Sequence, residues 1–161
     1  MKGAVMAVAR GKTNDEAQIR NLIDSWADAV RAQDVESMMS SYSPDVISFD
    51  AVGGLQLIGA KATRKRAEEW VSSFSAPIGY VTRDLAITAG QDVAFSHSLN
   101  QVSGTTKDGK LVDMWVRATI GFRKVDGEWL VTHEHISVPF DPRSGKALME
   151  TGGVSSESDK P

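Results

Sequence analysis

The 161-residue chain has no cysteine, which excludes disulfides, thiolate metal sites, a cysteine nucleophile and thiol redox chemistry. It has no apolar run near the roughly 18 residues that a membrane span needs. The start of the chain also lacks an uninterrupted apolar core, because Arg10 follows the short patch Val5–Ala9. A secretory leader needs about 7–15 apolar residues there. Residues 1–12 are therefore expected to be a flexible arm on a cytoplasmic protein. Charge of one sign is not in excess either: 18 basic and 21 acidic residues give a net charge of -3. That balance argues against a chain built to neutralise phosphates, so neither nucleic acid nor membrane is an expected partner.

What is present suits one domain with a core of its own: 41% hydrophobic and 24% charged residues over a length typical of a single unit. Thr13 and Glu16 form a T-x-x-E capping box, and Ile19, Leu22, Ile23, Trp26, Ala27 and Val30 recur behind it at helical spacing. Asp34 restarts a short helix carrying Val35, Met38, Met39 and Tyr42, which Ser43-Pro44 ends. Val46–Ala51 reads as a strand. Gly59 opens a third helix with Ala67, Trp70, Val71 and Phe74 on one side, closed by Ala76-Pro77. Four further strands follow, Tyr80–Thr88, Val93–Ser103, Leu111–Lys124 and Glu128–Val138. Helices first and hairpins after predict an α+β fold, with the helices on one face of a mostly antiparallel sheet. The domain is expected over 13–142, with a disordered tail over 143–161.

This order resembles a known family. The long first helix, Gln33-Asp34, a short helix and then Asp45–Asp50, together with the final hairpin Phe122–Ser137, resemble NTF2-like domains. The SnoaL-like and ketosteroid-isomerase-related members are the most similar, and the association domain of calmodulin-dependent kinase is also similar. The resemblance covers about residues 14–141. It implies a cone of helices inside a curved sheet, with an internal pocket and a homodimer.

Register decides which side chains enter the cone. Val112, Met114, Val116, Ala118, Ile120 and Phe122 make one apolar face of their strand, opposite Asp113, Trp115, Arg117 and Thr119. A two-residue Asp126-Gly127 turn would pair Val125 with Glu128 and turn His133 and His135 inward. A three-residue loop, Val125–Gly127, would pair Lys124 with Glu128 and turn Leu130, Thr132, Glu134, Ile136 and Val138 inward. The second places more aliphatic residues in the core and matches the hairpin of the resembled family, so it is preferred. With a bulged loop at Lys107–Gly109, Ser98, Ala118 and Glu134 then share a row, and Asn100, Val116 and Ile136 the next. Trp115, Trp129, Val131, Arg117 and the histidines fall on the far face.

The carboxylates carry the candidate chemistry. By element order Asp50 matches the catalytic aspartate of ketosteroid isomerases, where a partly desolvated carboxylate is a better base. The alternative is an aspartate capping the Ala51–Gly54 turn. Glu134 is either an acid–base partner or a structural glutamate. The isomerase family's tyrosine position holds Trp26, an indole that cannot act as a phenolic acid, and its oxyanion-binding aspartate falls at Ala118. These departures argue against steroid isomerisation. His133 and His135 lie roughly 6.8 Å apart along a strand, close enough to share a metal, but His97 is too far to complete a site, so no metal is expected. Trp26, Trp70 and Phe74 are core residues that can also line a pocket, joined there by Ser98, Asn100, Ala118 and Ile136. Trp115 and Trp129 would be exposed on a monomer, which places a sheet-to-sheet dimer seam at Trp115, Arg117, Trp129, His133 and His135. Two functions stay open. One is a cofactor-independent isomerase, lyase or cyclase that uses Asp50 as a base on a small hydrophobic, oxygenated ligand. The other is a non-catalytic ligand-binding or assembly domain.

Overall fold

The computed structural model describes residues 2–75 and 77–150. Helix α1 spans Lys2–Ala32, α2 Val35–Met39 and α3 Ala60–Ser72. The strands are β1 Tyr42–Phe49, β2 Leu57–Ile58, β3 Gly79–Ala89, β4 Val93–Thr105, β5 Leu111–Val125 and β6 Glu128–Ser137. They form one six-stranded, unclosed sheet in the order β2-β1-β6-β5-β4-β3. Every pairing is antiparallel except β1 with β6. The α+β expectation is met, with the helices on the concave face.

Several boundaries differ from the sequence reading. The backbone of α1 is helical from Lys2, so Thr13 and Glu16 lie within the helix rather than at its start, and the segment read as an arm belongs to α1 from its second residue. Asp34 does cap α2, accepting from the Ser37 amide and hydroxyl at 3.1 and 2.6 Å. Strand β1 begins at Tyr42, ahead of Pro44. Proline cannot donate to a ladder, and here it sits where the β1–β6 register jumps between Tyr42 and Ile47. Helix α3 ends at Ser72, before Pro77, and Ala76 lies outside the described residues. Part of the segment read as a tail, residues 143–150, lies within the described residues. Residues 141–146 close a tight turn, with Gly145 N–H donating to Asp141 at 2.7 Å and Asp141 N–H to Lys146 at 2.9 Å. The chain then returns along β5, where Trp115 N–H donates to Met149 at 2.8 Å. Residues 151–161 lie outside the described part.

The last hairpin decides the interior. Asp126 and Gly127 both take positive φ, 51° and 85°, as a two-residue I′ turn requires. Val125 therefore pairs with Glu128, Lys124 with Trp129 and Phe122 with Val131. The preferred three-residue loop is not the one used. The ladder then shifts by one residue, because Gly121 pairs with His133 and Thr132 is the extra residue of a bulge. Before Thr132, Trp129 and Val131 point inward. After it, Glu134 and Ile136 do.

Two corrections follow. Trp129 is a core residue, 3% exposed, and not part of an outer seam. Val131 is buried with it, and Leu130 turns outward. The rows also move by two residues: Glu134 lies opposite Ile120, and Ile136 opposite Ala118. The β4–β5 register is as expected, with Ser98 opposite Ala118 and Asn100 opposite Val116. A second bulge in β3, at Asp84-Leu85, turns Tyr80 and Ile87 to the same concave side.

The concave side divides into two packed regions. Ile19, Val46, Ala89, Ala94, Phe122, Trp129 and Val131 fill one end. Val30, Met38, Val71, Phe74, Ile78, Tyr80 and Val102 are among those that pack the other. Gly104, at φ 155°, lets β4 lie against Phe74, where an added Cβ would sit 3.0 Å from the ring.

Candidate functional site: an apolar cavity with two carboxylates

Between the helices and the sheet lies a cavity of about 340 Å³, beside a smaller recess of about 80 Å³ with which it shares lining residues. Its walls are mainly apolar and aromatic: Trp26 from α1, Trp70 from α3, Phe74 just beyond it, and Tyr80 from β3. The rings meet edge to face, Trp26 on Tyr80 at 5.2 Å and Trp70 on Phe74 at 6.0 Å.

Both candidate carboxylates reach this cavity. Alternation along β1 turns Val46, Ser48 and then Asp50 inward, and Ser48 is the parallel neighbour of Glu134. Strand rise and spacing put the Asp50 and Glu134 Cα atoms about 8 Å apart. Asp50 does not cap its turn. It accepts from Arg66 Nε on α3 at 2.7 Å, with both side chains less than a third exposed. Glu134 accepts from two hydroxyls, Tyr42 Oη at 2.7 Å and Ser48 Oγ at 2.5 Å. Among the described residues no basic side chain forms an ion pair with it.

The tyrosines complete the polar floor. Burial first, then the Glu134 charge and its hydrogen bond, push the Tyr42 phenol well above its ordinary value, with a smaller opposing effect from a Trp26 hydrogen bond. Burial and the same charge raise Tyr80, opposed by a hydrogen bond from Asn100. Both stay neutral hydroxyls at neutral pH. Asn100 is fixed in turn, since its Oδ1 accepts from Ser98 Oγ at 3.1 Å.

Of the sequence candidates, Asp50, Glu134, Trp26, Trp70, Phe74 and Ile136 line the main cavity, and Ser98, Asn100 and Ala118 line the recess. Tyr42, Ser48, Arg66 and Tyr80 were missed. The alternation of β1 points to Ser48, but a serine gives no apolar signal. Arg66 reads as part of a solvated Arg64-Lys65-Arg66 face, and only its neighbours behave so: Lys65 reaches Glu69 at 4.0 Å and Arg64 reaches Glu36 at 2.8 Å.

The outer face holds Arg117, His133 and His135, with Trp115 half-buried under the Arg83 guanidinium at 4.5 Å. His133 Nδ1 lies 2.9 Å from the Ile47 carbonyl, and the Phe49 ring meets both histidines, at 4.9 and 5.6 Å. Among the described residues no three of His, Asp and Glu converge as a metal site, and no helix is long and apolar enough to cross a membrane.

Residues 19–141 match the model of the SnoaL-like domain, and the chain belongs to that family. Among solved structures, it is similar to an NTF2-like protein of unknown function from Pseudomonas putida KT2440, at 35% identity and a TM-score of 0.79, over 86% of this chain and 96% of that one. A ketosteroid isomerase-like protein from Erwinia carotovora atroseptica SCRI1043 shares the fold at 17% identity and a TM-score of 0.66, over 76% and 95% of the two chains. A candidate dehydratase of the NTF2-like family from Streptomyces avermitilis does so at 18% and 0.69, over 78% and 97%. No curated protein matches the chain.

Proposed function

We propose that this protein binds a small, hydrophobic, oxygenated molecule in its cavity and rearranges it by proton transfer, as a cofactor-independent isomerase, lyase or cyclase. One observation carries the reading: Asp50 and Glu134 line the same apolar cavity from neighbouring strands. Asp50 is the general base, placed to remove a proton beside a carbonyl of a ligand seated in the cavity, with Arg66 holding its side chain in position. Tyr42 and Tyr80 are neutral donors at the same cavity, and they offer what Trp26 and Ala118 do not at the positions of the resembled isomerases. The test has two parts. Mass spectrometry of molecules carried by the native protein identifies the ligand. Asp50→Asn is then expected to abolish its turnover while leaving its binding within a few-fold; full turnover by that variant removes Asp50 from the reaction.

A second reading, binding without turnover, is favoured by one specific feature. Asp50 already accepts from a guanidinium and Glu134 from two hydroxyls, so neither carboxylate can take a proton from a ligand before a partner is displaced. Absence of any chemical change in the bound ligand over long incubation supports this alternative.

The proposal extends to a homodimer through the outer sheet face, where Val81, 52% exposed, lies in the row of Trp115 and Phe95, 49% exposed, lies further along β4. Trp115→Glu is expected to yield monomer or aggregate in light scattering, and an unchanged dimer would refute it.

A further inference from the structure

The charges lining the cavity do not balance. Its ionisable lining groups are Asp50, Arg66 and Glu134, besides the two tyrosines that remain neutral. Asp50 and Arg66 neutralise each other at 2.7 Å. Glu134 is left with hydroxyl partners alone. Each of its oxygens has one such hydrogen bond and keeps a further lone pair. A negative charge in apolar surroundings, without a counter-ion, is a strong attractor for a cation that can reach it.

The walls around that charge have the same preference. Trp26, Tyr42 and Tyr80 line the cavity beside Glu134, and Trp70 and Phe74 line its other wall. Aromatic faces carry negative quadrupole potential and attract ammonium groups, most strongly where water is excluded. An anion would gain nothing from either feature, because the cavity's one guanidinium is already engaged.

We propose that the end of the cavity around Glu134 is a site for an organic cation, so that the ligand carries a basic nitrogen on its apolar body. The inference rests on the cavity being a ligand site, and it deepens that reading. It assigns Glu134 to binding rather than to proton transfer and leaves Asp50 as the reacting group. The ammonium N–H groups donate to the free lone pairs of Glu134, and the apolar body lies toward Trp70 and Phe74.

The test compares three probes of one size at neutral pH: benzylamine, benzyl alcohol and phenylacetate, titrated calorimetrically into the intact protein. Benzylamine is expected to bind at least tenfold more tightly than benzyl alcohol, and phenylacetate most weakly. Glu134→Gln is expected to bring the amine-to-alcohol ratio within threefold of unity, while Tyr42→Phe, which keeps the charge, retains most of the preference. The wild-type ratio decides the matter even if the glutamine variant does not fold. Equal binding of amine and alcohol, or tighter phenylacetate, overturns the cation site and leaves the ligand cavity standing. A preference that survives in folded Glu134→Gln also overturns it. Binding of none of the three counts against the cavity reading and this one together.

Discussion

The two ends of the concave interior are built from the same strands and treat polar groups in opposite ways. At the filled end, Trp129 and Phe122 close the space, and the one acid present, Asp15, is neutralised by Lys124 at 2.7 Å and by the Trp129 indole N–H at 3.1 Å. At the cavity end, Glu134 has hydroxyl partners and no cation, and the aromatic residues stand around space rather than fill it. A buried charge with its counter-ion and donor in place serves stability. A part-buried charge without a counter-ion adds little to stability and is free to meet a ligand.

This contrast can be broken most forcefully at the filled end. Trp129→Ala removes a buried indole and is expected to cost about 3–5 kcal/mol in denaturant unfolding. Asp15→Asn strands the Lys124 ammonium and is expected to cost about 1–3 kcal/mol. The pH dependence sharpens that prediction. The Lys124 hydrogen bond, above the opposing effect of burial, holds the Asp15 carboxyl below its ordinary range. Its contribution is complete above the ordinary carboxylate range and is lost as pH falls through the lowered value of the folded state. Acid unfolding of Asp15→Asn should therefore show a shallower fall in stability over that window than the wild type. Gly104→Ala pushes on the Phe74 wall at a positive φ; it is expected to cost about 1 kcal/mol and to weaken benzyl alcohol binding in calorimetry. The smallest effect on stability belongs to Asp50→Asn at the cavity, under about 1 kcal/mol, because that ion pair is still partly in contact with water.

How much of this was legible in the sequence depends on the range of the interaction. The α+β order and the β4–β5 register were legible, because the alternation of β5 and the Gly109 loop are local signals. Glu134 was placed on the correct side for a partly wrong reason. The expected three-residue loop and the observed bulge at Thr132 both turn it inward, but only the bulge also buries Trp129 and Val131. A bulge leaves no mark in periodicity beyond the conflict it resolves. Here that conflict was an apolar pair, Trp129 and Val131, out of phase with another inward pair, Glu134 and Ile136. Two-residue β2 is too short for any pattern. Arg66 was missed because a partner on another element, Asp50, draws it to the cavity, and Tyr80 because the bulge at Asp84-Leu85 sets the phase of its strand.

The extra residue at Thr132 makes the two lengths of β6 independent in phase. The same sequence paired without the bulge would keep the turn, Trp129 and Val131 as they are. Everything beyond would rotate by half a pleat, bringing His133 and His135 to the cavity and sending Glu134 out to solvent. In this domain one bulge thus selects the chemical repertoire, carboxylate over imidazole, without substituting any side chain and without disturbing the packed end that holds the fold.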